Sequence, residues 1–391
     1  MRILGYAVIC AGMIVCAAPT AQARDIKVGI IATFSGGLSY FGKQIRRGAE
    51  LYHKLHKSEL KGDTVELIFR DTKNPGGGVA KSVVQELVSR DKVDIIGGSI
   101  APLVTKAKVP VILMNAGSAF LTKISPSFAR VSYTMWQAGF IMGEYAAKEM
   151  KCKTAITGFS NYAPGKDSSN AFKRGFEDAG GKVVGEIPMG GPGSVPDFTP
   201  FLSRVKDKKP DCLYVFVPAG NHTSALMTSY GRLGMKNAGI RFIGPLYLTR
   251  ETGLKSLGDA AAGFVTAYHY FSDLDTPANK AFIAAWKKEY GADSMPSFVG
   301  VGGYDGMAAI YHVLKTVTGR ITTEKALAAL KGWSFDSPRG KITIDADTRD
   351  IVQNIYIKEV VKKDGELVLV PRGTYEGVKD KCKELKIGNC R

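Results

Sequence analysis

The chain has 391 residues, 45% hydrophobic and 23% charged, with a formal net charge of +17. This balance excludes a chain disordered along its whole length, and the length exceeds one average domain. Lys and Arg are interleaved with Asp and Glu, and the only dense runs are short, at Lys206–Lys209 and Lys379–Lys386. The excess therefore reads as a solvated basic surface, and no nucleic-acid partner is expected.

Residues 1–23 read as a secretory signal peptide. Arg2 is followed by the apolar run Ile3–Ala18, and Ala21-Gln22-Ala23 has the small-x-small form of a cleavage site. Small residues of a lipoprotein site precede neither Cys10 nor Cys16, so a soluble mature chain beginning near Arg24 is expected in the periplasm. Export permits disulfides among the remaining Cys152, Cys212, Cys382 and Cys390. Cys382 and Cys390 close a short loop. Cys152 and Cys212 each begin a predicted strand and pair if those strands are neighbours. Four cysteines allow three connectivities.

From Ile26 the pattern alternates. Strands are predicted at 26–31, 65–69, 93–96 and 109–113, with helices at 44–54 and 79–88 between them. Further strands at 154–158, 183–187 and 212–217 are interleaved with helices at 168–179, 198–206 and 224–233. Helices then dominate at 280–290, 306–316 and 323–330 before strands return at 341–344 and 354–361. The strands are continuously apolar, as parallel sheets covered on both faces require. The fold class is α/β: two Rossmann-like lobes with parallel sheets joined by a multi-strand hinge. Lobe I takes 24–132 plus 269–342, and lobe II takes 133–268 plus 343–391. Hinge strands are expected near Val131–Tyr133, Ala267–His269 and Ile342–Ile344. Ligands of open α/β sheets bind beyond the carboxyl ends of strands, so facing sheets make a cleft.

Catalytic signatures are sparse. Gly97-Gly98-Ser99-Ile100-Ala101 resembles a nucleophile elbow, but no base and acid accompany Ser99, and a tight strand-to-helix turn explains it. His53 and His56 share a helix with Lys54 and Lys57, which disfavour a cation, so they read as solvated helix surface. Gly76-Gly77-Gly78 lacks the Lys and hydroxyl residue of a phosphate loop. No enzyme activity and no cofactor are expected. Instead, loops after strands carry small, hydroxyl and aromatic residues: Thr33-Phe34-Ser35-Gly36-Gly37, Asn115-Ala116-Gly117-Ser118, Ser160-Asn161-Tyr162-Ala163-Pro164-Gly165 and Pro218-Ala219-Gly220-Asn221-His222. Backbone N–H groups beside small residues cradle anions, and the aromatics supply walls, which suits a small carboxylate.

Ile26-Lys27-Val28-Gly29 leading to Phe34-Ser35-Gly36, Asn161-Tyr162-Ala163-Pro164-Gly165 leading to Phe172-Lys173-Arg174-Gly175-Phe176, then Phe242-Ile243-Gly244-Pro245, Gly258-Asp259-Ala260-Ala261-Ala262-Gly263 and Tyr304-Asp305-Gly306 together resemble the periplasmic leucine/isoleucine/valine-binding protein family. These are type I solute-binding proteins of ABC importers. The resemblance implies a monomer that hands a ligand to an inner-membrane ABC permease, or a sensory protein that presents it to a receptor. It implies that Asn115–Ser118 hold the ligand carboxylate, with a hydroxyl from Ser99, and that Tyr162 closes over it. The family's amino-acid binders have a glutamate after Gly-Pro for the ligand ammonium. Here that position is Leu246, followed by Tyr247, and a buried ammonium without a counter-charge is costly. An aromatic carboxylate is therefore expected, walled by Leu246, Tyr247, Tyr162, Phe120, Tyr133 and Trp136. The alternative is an amino acid whose ammonium meets Glu251 or Asp273. The segments Ser337–Gly340 and Thr348–Asn354 are similar to an aromatic-acid subgroup. Between Gly97-Gly98 and Val109-Pro110 the family has a full helix; here only 99–108 fill the gap.

Overall fold

The computed structural model describes residues 23–73, 77–99, 109–192, 194–218, 221–245 and 258–391. The expected signal peptide, apart from Ala23, lies outside them, as do Glu251 and most of the short 99–108 segment.

The first sheet is wholly parallel. It contains β1 (Asp25–Ala32), β2 (Thr64–Asp71), β3 (Ile95–Gly98), β4 (Val111–Leu113) and β5 (Phe128–Arg130) in the order β2-β1-β3-β4-β5. Val28, Ile30, Ile95, Ile112 and Phe128 are fully buried because helices cover both faces. The chain-order helices of this half are α1 (Ser39–His56), α2 (Gly77–Ser89) and the single turn α3 (Leu121–Ile124).

The second half opens with α4 (Met135–Lys148) and continues as β6 (Thr154–Phe159), α5 (Ala163–Asp178), β7 (Lys182–Pro188), α6 (Thr199–Lys208), β8 (Cys212–Phe216), α7 (Asn221–Arg232), β9 (Arg241–Pro245) and β10 (Val265–Tyr268). The chain then returns to the first half through α8 (Pro277–Tyr290), α9 (Phe298–Thr316) and α10 (Thr323–Leu330). It ends as β11 (Ser334–Ser337), β12 (Gly340–Ile344), β13 (Ile351–Lys363), β14 (Glu366–Val378) and α11 (Lys381–Glu384). The second sheet runs β7-β6-β8-β9-β10-β13-β12-β11, with β14 also paired to β13. Its β6 to β10 are parallel, and β13 joins antiparallel.

Each half is clamped by two helices in backbone contact. A Cβ on Gly303 of α9 would lie 2.3 Å from the Ile45 carbonyl of α1, and one on Gly175 of α5 would lie 2.1 Å from the Phe140 carbonyl of α4. Only glycine permits that approach. It also explains two departures from the expected elements. Helix α9 starts at Phe298, capped by Ser297, and not at Gly306, because its glycines mark a helix contact and not a turn. Helix α4 was not expected at all. It is buried nearly all round, so its sequence carries no polar face to reveal a helical period. Its start is set by a Thr134–Gln137 capping box.

His53 and His56 correct another expectation. Both are half-buried between α1 and α9: His53 Nδ1 bonds the Tyr311 hydroxyl (2.7 Å), and His56 Nδ1 meets Glu59 (2.6 Å) while its ring stacks on Tyr52. They serve packing, not solvation. The cysteines pair as Cys152–Cys212, bridging the starts of neighbours β6 and β8, and Cys382–Cys390, closing the tail.

The chain passes between the two sheets at 131–134, after β5, and at 269–276, after β10. The β11–β12 ribbon is the third crossing. It bonds to β13, while Phe335 sits edge-on to Tyr52 of α1 and nearby Trp333 stacks on His312 of α9.

Candidate binding site between the sheets

The site collects at the carboxyl ends of both sheets. Gly98 ends β3 with φ +130°, a conformation that side-chain-bearing residues rarely adopt, and a Cβ there would sit 2.0 Å from the Ile31 carbonyl. This tight turn aims Ser99 inward, where its hydroxyl donates to the Asn115 carbonyl at 2.6 Å. The elbow-like motif is thus a turn that supports a neighbouring loop.

That loop, Asn115–Ser118 after β4, has an ordered asymmetry. Its four carbonyls are all drawn back into the protein. Asn115 O accepts from Ser99 Oγ, Ala116 O from Arg130 Nη1 (2.8 Å), Gly117 O from Met135 N (2.9 Å) and Ser118 O from Arg130 Nη2 (2.7 Å). The N–H groups of 115–118 have no hydrogen-bond partner among the described residues. A row of unpartnered N–H donors beside small residues is the kind of loop that can cradle an anion. The next N–H, from Ala119, donates to Asp167 on α5 at 2.9 Å, tying this loop to the second half.

Arg130 has no solvent exposure. Beyond the loop it bonds the Tyr133 carbonyl (2.9 Å) and pairs with Asp350 (2.9 Å), itself fully buried and shared with Lys383. Burial lowers the Lys383 ammonium and Asp350 opposes the shift. A second buried pair, Arg339–Asp305 (2.8 Å), lies alongside. Arg339 bonds the carbonyls of Val131 and Ser132 and the Gln353 side chain. All three carbonyls of Val131–Tyr133 thus end on buried guanidinium groups. The segments similar to the aromatic-acid subgroup therefore act from behind: Arg339, Asp350 and Gln353 hold the crossing and the cradle.

Aromatic side chains line the approach. The Tyr133 hydroxyl donates to Asn115 Oδ1 at 3.1 Å, and its ring stacks on His269 with 4.9 Å between centroids. Tyr162, ahead of α5, packs on Phe216 at 6.1 Å. Burial pushes its phenol well above the usual range, and the Tyr133 phenol adds to the shift. Phe34 is half-buried against Phe69. Its N–H donates to Asp71 (2.8 Å), whose carboxyl burial would raise but Ser35 and backbone N–H groups hold low. Asn221 is the first residue of α7, beyond β8. Leu246 and Tyr247 lie outside the described residues.

Three expected walls or partners stand elsewhere. Trp136 is 3% exposed and packs with Ala119, Ala171 and the Cys382–Cys390 bridge, so its face is spent on the tail. Phe120 packs on the α2 side of the first sheet with Leu113 and Phe128. Asp273, the alternative ammonium partner, is bound to Lys358. The reading of the residues missed Arg130, Asp167 and His269. An arginine and a histidine inside otherwise apolar strand ends, Phe128-Ala129-Arg130-Val131 and Ala267-Tyr268-His269-Tyr270, were the available signal.

Two sheets with facing carboxyl ends joined by three crossings define a two-lobed ligand-binding protein of the hinged-clamp class. The chain belongs to the periplasmic binding protein family, whose model matches residues 25–366. It is 36% identical over 356 residues to Leu/Ile/Val-binding protein homolog 6 of Brucella abortus (strain 2308), spanning 89% of this chain and 90% of that one. Among solved structures it is similar to a solute-binding protein of an ABC transporter from Rhodopseudomonas palustris BisB5 in complex with 3,4-dihydroxybenzoic acid. That match has 42% identity and TM-score 0.82, covering 92% of this chain and 99% of that one. A second, from Rhodopseudomonas palustris HaA2 in complex with p-hydroxybenzoic acid, has 35% identity and TM-score 0.84, covering 91% and 98%.

Proposed function

We propose that this chain captures an aromatic carboxylate in the periplasm and delivers it to an ABC permease. The observation that carries the reading is the cradle: four carbonyls turned inward, N–H groups turned free, and the buried Arg130 charge behind them. An anion there meets donors without bringing its own counter-ion. Tyr133 and Tyr162 offer flat faces for an aromatic body. Leu246 stands where the family's amino-acid binders have glutamate, and Asp273 is committed to Lys358. The ligands of the two Rhodopseudomonas proteins support the same class. On this reading residues 1–23 direct export and are removed. The lobes divide at 24–132 plus 269–342 and 133–268 plus 343–391, and closure expels water from the cleft. The protein acts as a monomer, without catalysis or cofactor.

Calorimetry with benzoate, 4-hydroxybenzoate, benzamide and leucine tests this. The acids bind, while benzamide, lacking the charge, binds far more weakly, and leucine does not bind. An acid at about 100 times its dissociation constant raises stability by about 2.7 kcal/mol in a thermal melt. Tight leucine binding with no acid binding overturns the proposal.

A further inference from the structure

His269 follows β10 at the second crossing and is 1% exposed. Its ring is enclosed by aromatics: stacked on Tyr133, 4.4 Å from Tyr268 between centroids, and edge-on to Phe298 at 5.9 Å. Its Nε2 is buried without a hydrogen-bond partner among the described residues. The half-buried histidines of the first half differ: His53, His56 and His312 each have a ring nitrogen bonded. A buried polar atom left unpaired is destabilising, and native structures retain few of them. Phenylalanine would fill this aromatic box without that penalty. The ring packs, but its Nε2 adds no hydrogen bond within the fold.

Its surroundings fix what it can do. Burial, and then the nearby Arg339 guanidinium, hold the ring neutral. A neutral imidazole has one donor and one acceptor, and either nitrogen can take either role. A phenolic hydroxyl, also both donor and acceptor, is its natural complement. A carboxylate would be served only by the donor. Position agrees with chemistry. Tyr133 touches the cradle through Asn115 at its hydroxyl and stacks on His269 across its ring face. An aromatic acid anchored by its carboxylate on the N–H groups of 115–118 and passing the edge of Tyr133, whose one face His269 covers, would carry its far ring positions toward His269.

We infer that His269 determines specificity within the aromatic acids by hydrogen-bonding a hydroxyl on the ring, away from the carboxylate. The inference rests on the aromatic-acid reading of the cleft. Sites built to bond a substrate hydroxyl discriminate strongly against analogues lacking it, because their own polar group is then left unpaired.

The test is calorimetry of benzoate and 4-hydroxybenzoate against the wild-type protein, His269→Phe and His269→Gln, with melts of each protein alone. Wild type is expected to prefer 4-hydroxybenzoate. His269→Phe keeps benzoate affinity within about threefold and loses tenfold or more for 4-hydroxybenzoate, about 1.4 kcal/mol. His269→Gln, which retains a donor and an acceptor, restores part of the preference. Equal losses for both acids, or no loss for either, make His269 a packing residue and overturn the inference. If His269→Phe does not fold, the ratio of affinities in His269→Gln against wild type decides, and an unchanged ratio refutes. Wild-type protein that binds neither acid refutes the aromatic-acid reading itself, a different failure.

Discussion

Replacing Arg130 by methionine removes the charge that organises the 115–118 loop while keeping an unbranched apolar stem. Three carbonyl bonds and the ion pair to Asp350 go with it. Bonds to charged groups contribute about 1.5–3 kcal/mol each, but breaking a buried pair by removing one partner costs about 3–5 kcal/mol in total. Lys383 still neutralises Asp350, so the lower end applies, about 3 kcal/mol. At about 2–4 °C per kcal/mol for a unit of lobe size, the melting temperature falls by roughly 6–12 °C. With Ala116 and Ser118 carbonyls released, the cradle N–H groups lose their aim, and 4-hydroxybenzoate affinity falls about tenfold or more, equivalent to 1.4 kcal/mol. Circular-dichroism melts and calorimetry read both effects. A double-mutant cycle with Asp350→Asn should give a coupling above about 1 kcal/mol, because the two groups touch. A melt within 2 °C of wild type, with affinity unchanged, would show that the loop holds itself and the argument from Arg130 is wrong.

Asp167 gives a pH prediction. Its carboxyl is pushed up to about 6, first by burial and then by Asp380; the Ala119 N–H, the Trp136 indole and Arg130 pull the other way. The folded state thus holds this proton more tightly than the unfolded chain does. The associated stability is present below the ordinary carboxylate range and lost as pH rises through 6. The ceiling is about 1.36 kcal/mol per unit, and solvent screening of this partly exposed group brings it to about 1–2 kcal/mol. Asp167→Asn should flatten the dependence of the urea midpoint between pH 4 and 7; an unchanged slope sinks the assignment. Separately, Gly303→Ala drives a methyl into the Ile45 carbonyl, and the α1–α9 contact must open. About 1–3 kcal/mol of destabilisation is expected by urea unfolding, and a neutral result would mean that the helices slide freely.

The α/β class and the repeated strand-helix order were legible because buried parallel strands are continuously apolar and loops are rich in glycine. Loop 115–118 stood out as small residues after a strand, and the tail disulfide as a short closed loop. Helix α4 was not, since burial on all sides erases its periodicity. Trp136 and Phe120 illustrate a second limit. Aromatic residues near a site in sequence read as walls, yet only three-dimensional packing decides which face is free. Arg130 and Asp350 show a third. They are 220 positions apart, and nothing local to either announces the other.

The first crossing has a mechanical meaning. Its three successive carbonyls are nailed to guanidinium groups whose counter-ions come from α9 and from the start of β13. Such a segment behaves as an axle and not as a spring, so the swing of one lobe against the other must be taken up by the remaining two connections. Because these charges are sealed from dissolved ions, salt leaves the axle untouched. It acts instead on the charges of the outer surface.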